Sequence, residues 1–204
     1  MRLGCETDFV AKNEDFVTMA KEFAAIALEN MPATVEALNE LPYKDGLTIA
    51  KKIEEYTGVI GEKIEISKYN SLEAPGGQVV PYIHMGYRAG VIVAMNMDSA
   101  DYTDAGKDVA MQVAAMRPLA LDKDNVDPSI VEKEIEIGKD IARQEGKPEA
   151  IIEKIAMGKL NKFYKDNTLM NQQFVKDGSM TVASYLQSKN KDLTITDFKH
   201  IELG

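Results

Sequence analysis

An α+β fold is predicted for this chain: two related subdomains, each with a small antiparallel sheet packed by helices, plus an antiparallel helical hairpin inserted in the second. Three observations predict it. Helical periodicity alternates with short period-2 strands along the chain. The same order of elements (long helix, short helix, strand) occurs twice, and the second occurrence is interrupted by a long extra helical stretch. The 204 residues suffice for one large domain or two small ones, and 45 % apolar residues predict a packed core rather than disorder.

The elements follow in order. Arg2-Leu3-Gly4 reads as the remnant of an apolar strand that the first subdomain should carry, so the chain is expected to be a fragment or to lack an N-terminal region. Thr7 is placed to cap a short helical turn with its hydroxyl, and Asn13 to cap a long helix with Phe16, Met19, Ala20 and Phe23 facing its core. Pro32 lies where that helix ends, because proline cannot continue it. A short helix with Ile53 and Tyr56 then leads to a strand at residues 64–66. Residues 79–85 and 91–95 read as two strands joined by a turn punctuated by Gly86 and Gly90.

The second long helix starts near Ala105 and ends near Pro118. Asp127-Pro128-Ser129 is a helix start with proline in the first turn. The helix after it carries Ile130, Glu134, Ile137 and Ile141 along one face. Gly146 and Pro148 stop it and restart another, with Ile151, Ile152, Ile155, Leu160 and Phe163. A short helix with Val182 and Tyr185, a strand at residues 193–195 and a last strand at residues 198–203 complete the second sheet.

The repeat is visible in matched residues. Lys21 pairs with Lys107, Ala24 with Ala110 and Pro32 with Pro118 at one constant offset. At a second, larger offset Ile53, Tyr56, Ile64, Ile66 and Tyr69 match Val182, Tyr185, Leu193, Ile195 and Phe198. The inserted hairpin accounts for the change in offset. These features divide the chain into an N-subdomain at residues 1–77, a first part of the C-subdomain at 78–126, the hairpin at 127–168 and a second part of the C-subdomain at 169–204. A two-helix hairpin buries one side of each helix, so leftover residues such as Val131, Ile135 and Ile152 need another surface: the parent domain or, the favoured reading, a second copy.

Composition removes several functions. A net charge of −9 repels phosphate, which argues against direct nucleic-acid binding. Cys5 is the only cysteine, so no intrachain disulfide or thiolate metal cluster forms. No apolar run reaches the roughly 18 residues that span a bilayer, and no basic-then-apolar signal peptide opens the chain. A soluble intracellular protein is expected, in the bacterial cytoplasm or an organellar matrix.

No enzyme site is expected. The two histidines, His84 and His200, lie in no motif with a nucleophile. Two histidines and one cysteine are too scattered to hold a metal, and Ala74-Pro75-Gly76-Gly77 lacks the Lys-Ser/Thr of a phosphate loop. Neither a metal nor a cofactor is therefore expected. Binding remains, and Thr7-Asp8-Phe9-Val10 is the segment that suits it: a carboxylate beside an aromatic ring ahead of an amphipathic helix. From the residues alone Phe9 has two fates, burial under that helix or insertion into another protein. Asp8 likewise reads either as a solvated charge at a helix start or as a partner contact.

Cys5-Glu6-Thr7-Asp8-Phe9-Val10-Ala11 before a helix resembles the signature of the elongation factor Ts family, the nucleotide exchange factors of elongation factor Tu. Tyr82-x-His84 leading to Gly90-Val91-Ile92-Val93, Asp108-Val109-Ala110-Met111-Gln112-Val113-Ala114-Ala115, Glu145-Gly146-Lys147-Pro148, Gln173-Phe174-Val175-Lys176-Asp177 and Phe198-Lys199-His200 are similar to it as well. Gln112 departs from the pattern, standing where relatives often have histidine, and the family's ubiquitin-associated-like N-terminal domain has no counterpart ahead of Cys5.

The resemblance implies guanine nucleotide exchange on elongation factor Tu, in its GDP-bound and nucleotide-free forms, during translation elongation. It assigns magnesium dislocation to Thr7, Asp8, Phe9 and Val10. Phe9 would wedge into an apolar crevice, Asp8 would hydrogen-bond beside it, and His84 would add a secondary contact. It also implies a homodimer through residues 127–168, with no cofactor, no direct nucleic acid and no membrane. The alternative is a dimerising structural or assembly module without exchange activity.

Overall fold

A computed structural model describes residues 1–203. They form two compact units.

The first unit comprises Met1–Ser71, Ile83–Gly90 and residues 201–203. In chain order it holds β1 (Arg2–Gly4), α1 (Asp8–Ala11), α2 (Glu14–Asn30), α3 (Val35–Asn39), α4 (Ile49–Ile60) and β2 (Glu65–Lys68). β1 and β2 pair antiparallel, with Leu3 opposite Ile66 and Gly4 opposite Glu65. Side-chain caps set the helix starts: Asn13 accepts from the Asp15 N–H at 2.8 Å, Thr34 from Ala37 at 3.1 Å and Thr48 from Lys51 at 3.3 Å. Phe16, Met19, Phe23 and Ala27 of α2 bury one stripe against Leu38, Ile49, Ile53, Ile64 and Ile66.

The second unit comprises Leu72–Tyr82 and Val91–His200. The sheet has the order β3 (Gln78–Ile83), β4 (Ala89–Met95), β7 (Ile195–Glu202). Residues 193–195 and 198–203 were expected as two strands, yet β7 is continuous from Ile195. Leu193 instead closes a turn, its N–H donating to Asn190 O at 3.0 Å. The antiparallel pair β5 (Gln173–Phe174) and β6 (Asp177–Thr181), like α3, has no counterpart in the sequence reading.

Helix α5 (Thr103–Met116) packs on this sheet, closely enough that a Cβ on Gly106 would stand 2.7 Å from both Met95 Sδ and Val80 Cγ2. α8 (Val182–Lys189) adds Val182 and Leu186 to the same core. The buried Gln112 is fully engaged: it donates to Gln172 Oε1 at 3.1 Å and Gln173 O at 3.0 Å, and accepts from the Val175 N–H at 2.8 Å. A buried amide costs little when its donors and acceptors are satisfied.

The duplication extends to the backbone. α2 and α5 each end on a non-glycine residue in the left-handed region, Met31 at φ 44° and Arg117 at φ 47°, followed by a buried proline. Their N–H groups donate to the equivalent residues Ala27 and Val113, at 2.8 and 2.9 Å. Left-handed conformations cost a side chain roughly 1–2 kcal/mol, so one unusual cap at matched positions marks shared geometry. The second repeat also keeps the burial of the first: Ile64 and Ile66 are buried, and so are Leu193 and Ile195.

The hairpin is α6 (Pro128–Gln144) and α7 (Glu149–Asn167), with Asp127 as cap and Pro128 in the first turn. Its seam differs from the sequence expectation. Ile152 was read as leftover surface, yet it is 4 % exposed, while Ile137, read as part of the main apolar face, is 40 % exposed. The reason is the small-residue stripe of Gly138 and Ala142 opposite Ala156, all buried. A Cβ on Gly138 would lie 3.0 Å from Ala156 Cα. Backbones meeting that closely place the small residues at the contact and turn the bulkier Ile137 and Ile141 outward. The fold is α+β, and no helix among the described residues is long and apolar enough to cross a membrane.

Candidate partner-docking site

Residues 7–10 lie on a turn held from three sides. β1 delivers the chain to Cys5, and Thr7 then caps α1, its hydroxyl oxygen accepting from the Val10 N–H at 3.4 Å. Val10 is the inward anchor at 9 % exposure. Asn13 then opens α2, so the turn runs directly into the first core helix.

This geometry keeps the Phe9 ring out of the core of its own unit. In a one-turn helix successive side chains point about 100° apart, so burying Val10 turns its neighbour outward. Phe9 is 91 % exposed, with Asp8 exposed beside it.

Two side chains that the sequence reading did not single out hold the turn. Glu62 follows Gly61, the left-handed cap of α4 at φ 78°. Its Oε2 accepts from the Glu6 and Thr7 N–H groups at 3.1 and 3.0 Å, and its Oε1 accepts from the Thr7 hydroxyl at 2.6 Å. On the other side Arg88 Nη1 stands 3.4 Å from Asp8 Oδ1. Both groups are exposed, so this ion pair orients more than it stabilises, in the range of about 0–1 kcal/mol.

Arg88 belongs to the turn that carries His84. The His84 N–H donates to Ala89 O at 2.8 Å, and His84 O accepts from the Tyr87 N–H at 3.0 Å. Residues 83–90 belong to the same compact unit as residues 7–10. On the same turn the Tyr87 ring lies 5.8 Å from Lys21 Nζ. Met85 and Tyr87 are exposed on that turn.

Cys5 leads into this turn. Burial first, and then the Glu62 carboxylate, push the Cys5 thiol up from its ordinary range, and the thiol donates to Thr7 O at 3.3 Å. A raised thiol holds less of the nucleophilic thiolate. Among the described residues no group of three or more His, Cys, Asp or Glu side chains is arranged to hold a metal ion. The arrangement offers an exposed ring and a carboxylate on a tethered turn, which suits insertion into another macromolecule.

Known proteins resemble this chain along nearly its whole length. The family model described as "Elongation factor TS" matches residues 6–204. A protein of Cytophaga hutchinsonii named Elongation factor Ts is 54 % identical over 203 residues, covering 99 % of this chain and 72 % of that protein. Relatives of the same name from Amoebophilus asiaticus and Flavobacterium psychrophilum are 49 % and 48 % identical, with the same coverage.

Proposed function

This chain belongs to the elongation factor Ts family, and from that premise we propose that it promotes GDP release from elongation factor Tu by wedging Phe9 into the partner's nucleotide domain. The observation that carries the proposal is the presentation of Phe9, almost wholly exposed on a turn whose other groups are tied down.

The mechanism is one of linkage. GDP is held partly through a magnesium ion that bridges the partner and the phosphate oxygens. A factor that binds the nucleotide-free partner more tightly than the GDP-bound form must weaken GDP binding by the same ratio. Burying one phenylalanine contributes roughly 1.5–3 kcal/mol, about one to two decades in affinity. Asp8 and Thr7 accompany the ring, Val10 holds the turn from beneath, and His84 supplies the secondary contact. The factor itself makes and breaks no covalent bond.

We also read residues 127–168 as a self-association element, because Ile137, Ile141, Ile151 and Met157 leave apolar surface uncovered on the hairpin. This reading is compatible with exchange. The test of exchange is the release rate of a fluorescent GDP from loaded elongation factor Tu. Wild type should accelerate it, and Phe9→Ala should lower the maximal acceleration by about one to two decades. Equal acceleration by Phe9→Ala would remove the wedge, and no acceleration by wild type would leave a dimerising module without exchange activity.

A further inference from the structure

We propose that Glu62 is the positioning residue of this wedge: its carboxylate locks Thr7, and through Thr7 it presents Phe9 before the partner arrives. The proposal rests on the exchange reading above and adds to it a residue outside residues 7–10.

A carboxylate has about four acceptor sites on two oxygens. In Glu62 three are taken by consecutive donors of one segment: Glu6 N, Thr7 N and Thr7 Oγ1. The Thr7 hydroxyl has a single proton, and it points at Glu62 at 2.6 Å. Its lone pairs are thereby left to cap α1 through the Val10 N–H. Each bond orients the next: Glu62 orients the hydroxyl, the hydroxyl caps the turn, and the turn carries Asp8 and Phe9. A return bond, Lys63 N donating to Glu6 Oε1 at 3.3 Å, ties the same two stretches again.

A helix of four residues does not hold itself, because nucleation fixes several dihedral angles for one hydrogen bond. Its geometry depends on outside ties. Val10 supplies one, Asn13 a second, and Glu62 grips the entry to the turn at both Glu6 and Thr7. Glu62 is itself placed by the left-handed Gly61, whose N–H donates to Thr57 O at 2.8 Å.

The consequence is preorganisation. Without the clamp the presenting conformation becomes a fraction of the ensemble, and the apparent affinity for the partner falls by that fraction. Once docked, the ring still does its work. Loss of Glu62 should therefore move the concentration dependence of exchange and spare its plateau, whereas loss of Phe9 lowers the plateau.

The experiment titrates wild type, Glu62→Ala and Glu62→Gln against elongation factor Tu loaded with fluorescent GDP, and follows amide hydrogen exchange at residues 7–10 in the free chain. Glu62→Ala should raise the half-saturating concentration about tenfold, as expected for losing hydrogen bonds to a charged acceptor. Its plateau should stay, and the Thr7 and Val10 amides should exchange faster than in wild type. Glu62→Gln should recover most of the loss, because an amide oxygen still accepts from the backbone. Unchanged half-saturation together with unchanged Thr7 exchange in Glu62→Ala would overturn the proposal. So would a lowered plateau with protection lost throughout the first unit, which would make Glu62 a support of the fold. If wild type itself fails to release GDP, the exchange reading falls, and hydrogen exchange still decides whether Glu62 holds the turn.

Discussion

Glu22 on α2 and Asp108 on α5 occupy the same position of the repeated helix, and each carboxylate accepts from one tyrosine hydroxyl and one lysine ammonium. Glu22 takes Tyr43 and Lys44. Asp108 takes Tyr185 and Lys176, both at 2.6 Å. Each tyrosine also rests on a phenylalanine, Tyr43 edge-on to Phe23 at 5.3 Å and Tyr185 stacked on Phe174 at 4.1 Å. The donors come from different places in the two copies: Tyr43 precedes α4, whereas Tyr185 lies on α8. A partly covered carboxylate needs donors to offset its lost hydration, and the two copies draw them from different elements.

This cluster gives a pH dependence with a definite sign. Burial first, and then the hydrogen bond to Asp108, push the Tyr185 hydroxyl well above its ordinary value near 10. The unfolded chain therefore loses this proton before the folded one does. The contribution is complete below about pH 10 and is lost as pH rises beyond it. Tyr185→Phe should cost about 1 kcal/mol at neutral pH and should flatten the alkaline decline of the melting temperature. An equally steep decline in the variant would mean that other groups control it. Glu22 works at the acid end. Lys44, and after it Tyr43, hold its carboxyl below the ordinary range, so its contribution is present above about pH 4.5 and fades as pH falls below that.

Phe9 and Val10 are adjacent and should behave as opposites. Phe9→Ala removes exposed surface and should leave stability within about 0.5 kcal/mol while lowering stimulated GDP release. Val10→Ala removes two buried carbons and should cost about 1–2 kcal/mol of unfolding free energy. Denaturant melts paired with exchange assays on both variants check the contrast. Destabilisation by Phe9→Ala comparable to that of Val10→Ala would return the ring to the core.

Gly138 tests the hairpin seam. Helix propensity alone says that replacing a mid-helix glycine stabilises by up to about 1 kcal/mol. The 3.0 Å approach to Ala156 Cα says the opposite for anything large. Gly138→Val should destabilise by about 1–3 kcal/mol, seen as a lower thermal midpoint. An unchanged or raised midpoint would show that the helices separate without cost.

Self-association should depend on the isoleucines facing outward. Ile137→Lys combined with Ile141→Glu should shift sedimentation equilibrium toward monomer while leaving the melting temperature of dilute protein within a few degrees, as surface changes usually do. Wild type that sediments as a monomer at all accessible concentrations would end this reading.

The sequence by itself determined the α+β class, the repeated order of elements, the two caps Thr7 and Asn13, and the Asp127-Pro128 helix start. These are local signals: a cap reaches two or three residues along the chain, and the apolar period is set by helix geometry. The residues 7–10 stood out in the sequence because their composition is odd for their place. Tertiary structure alone decided that Glu62 grips Thr7 across 55 residues and that Arg88 meets Asp8 across 80. It also decided that the hairpin closes on Gly138 and Ala156 in place of its larger isoleucines. A single hydrogen-bonding side chain has no period, and a seam of small residues looks weak to any count of hydrophobic bulk. Both take shape only when distant backbones arrive at contact distance.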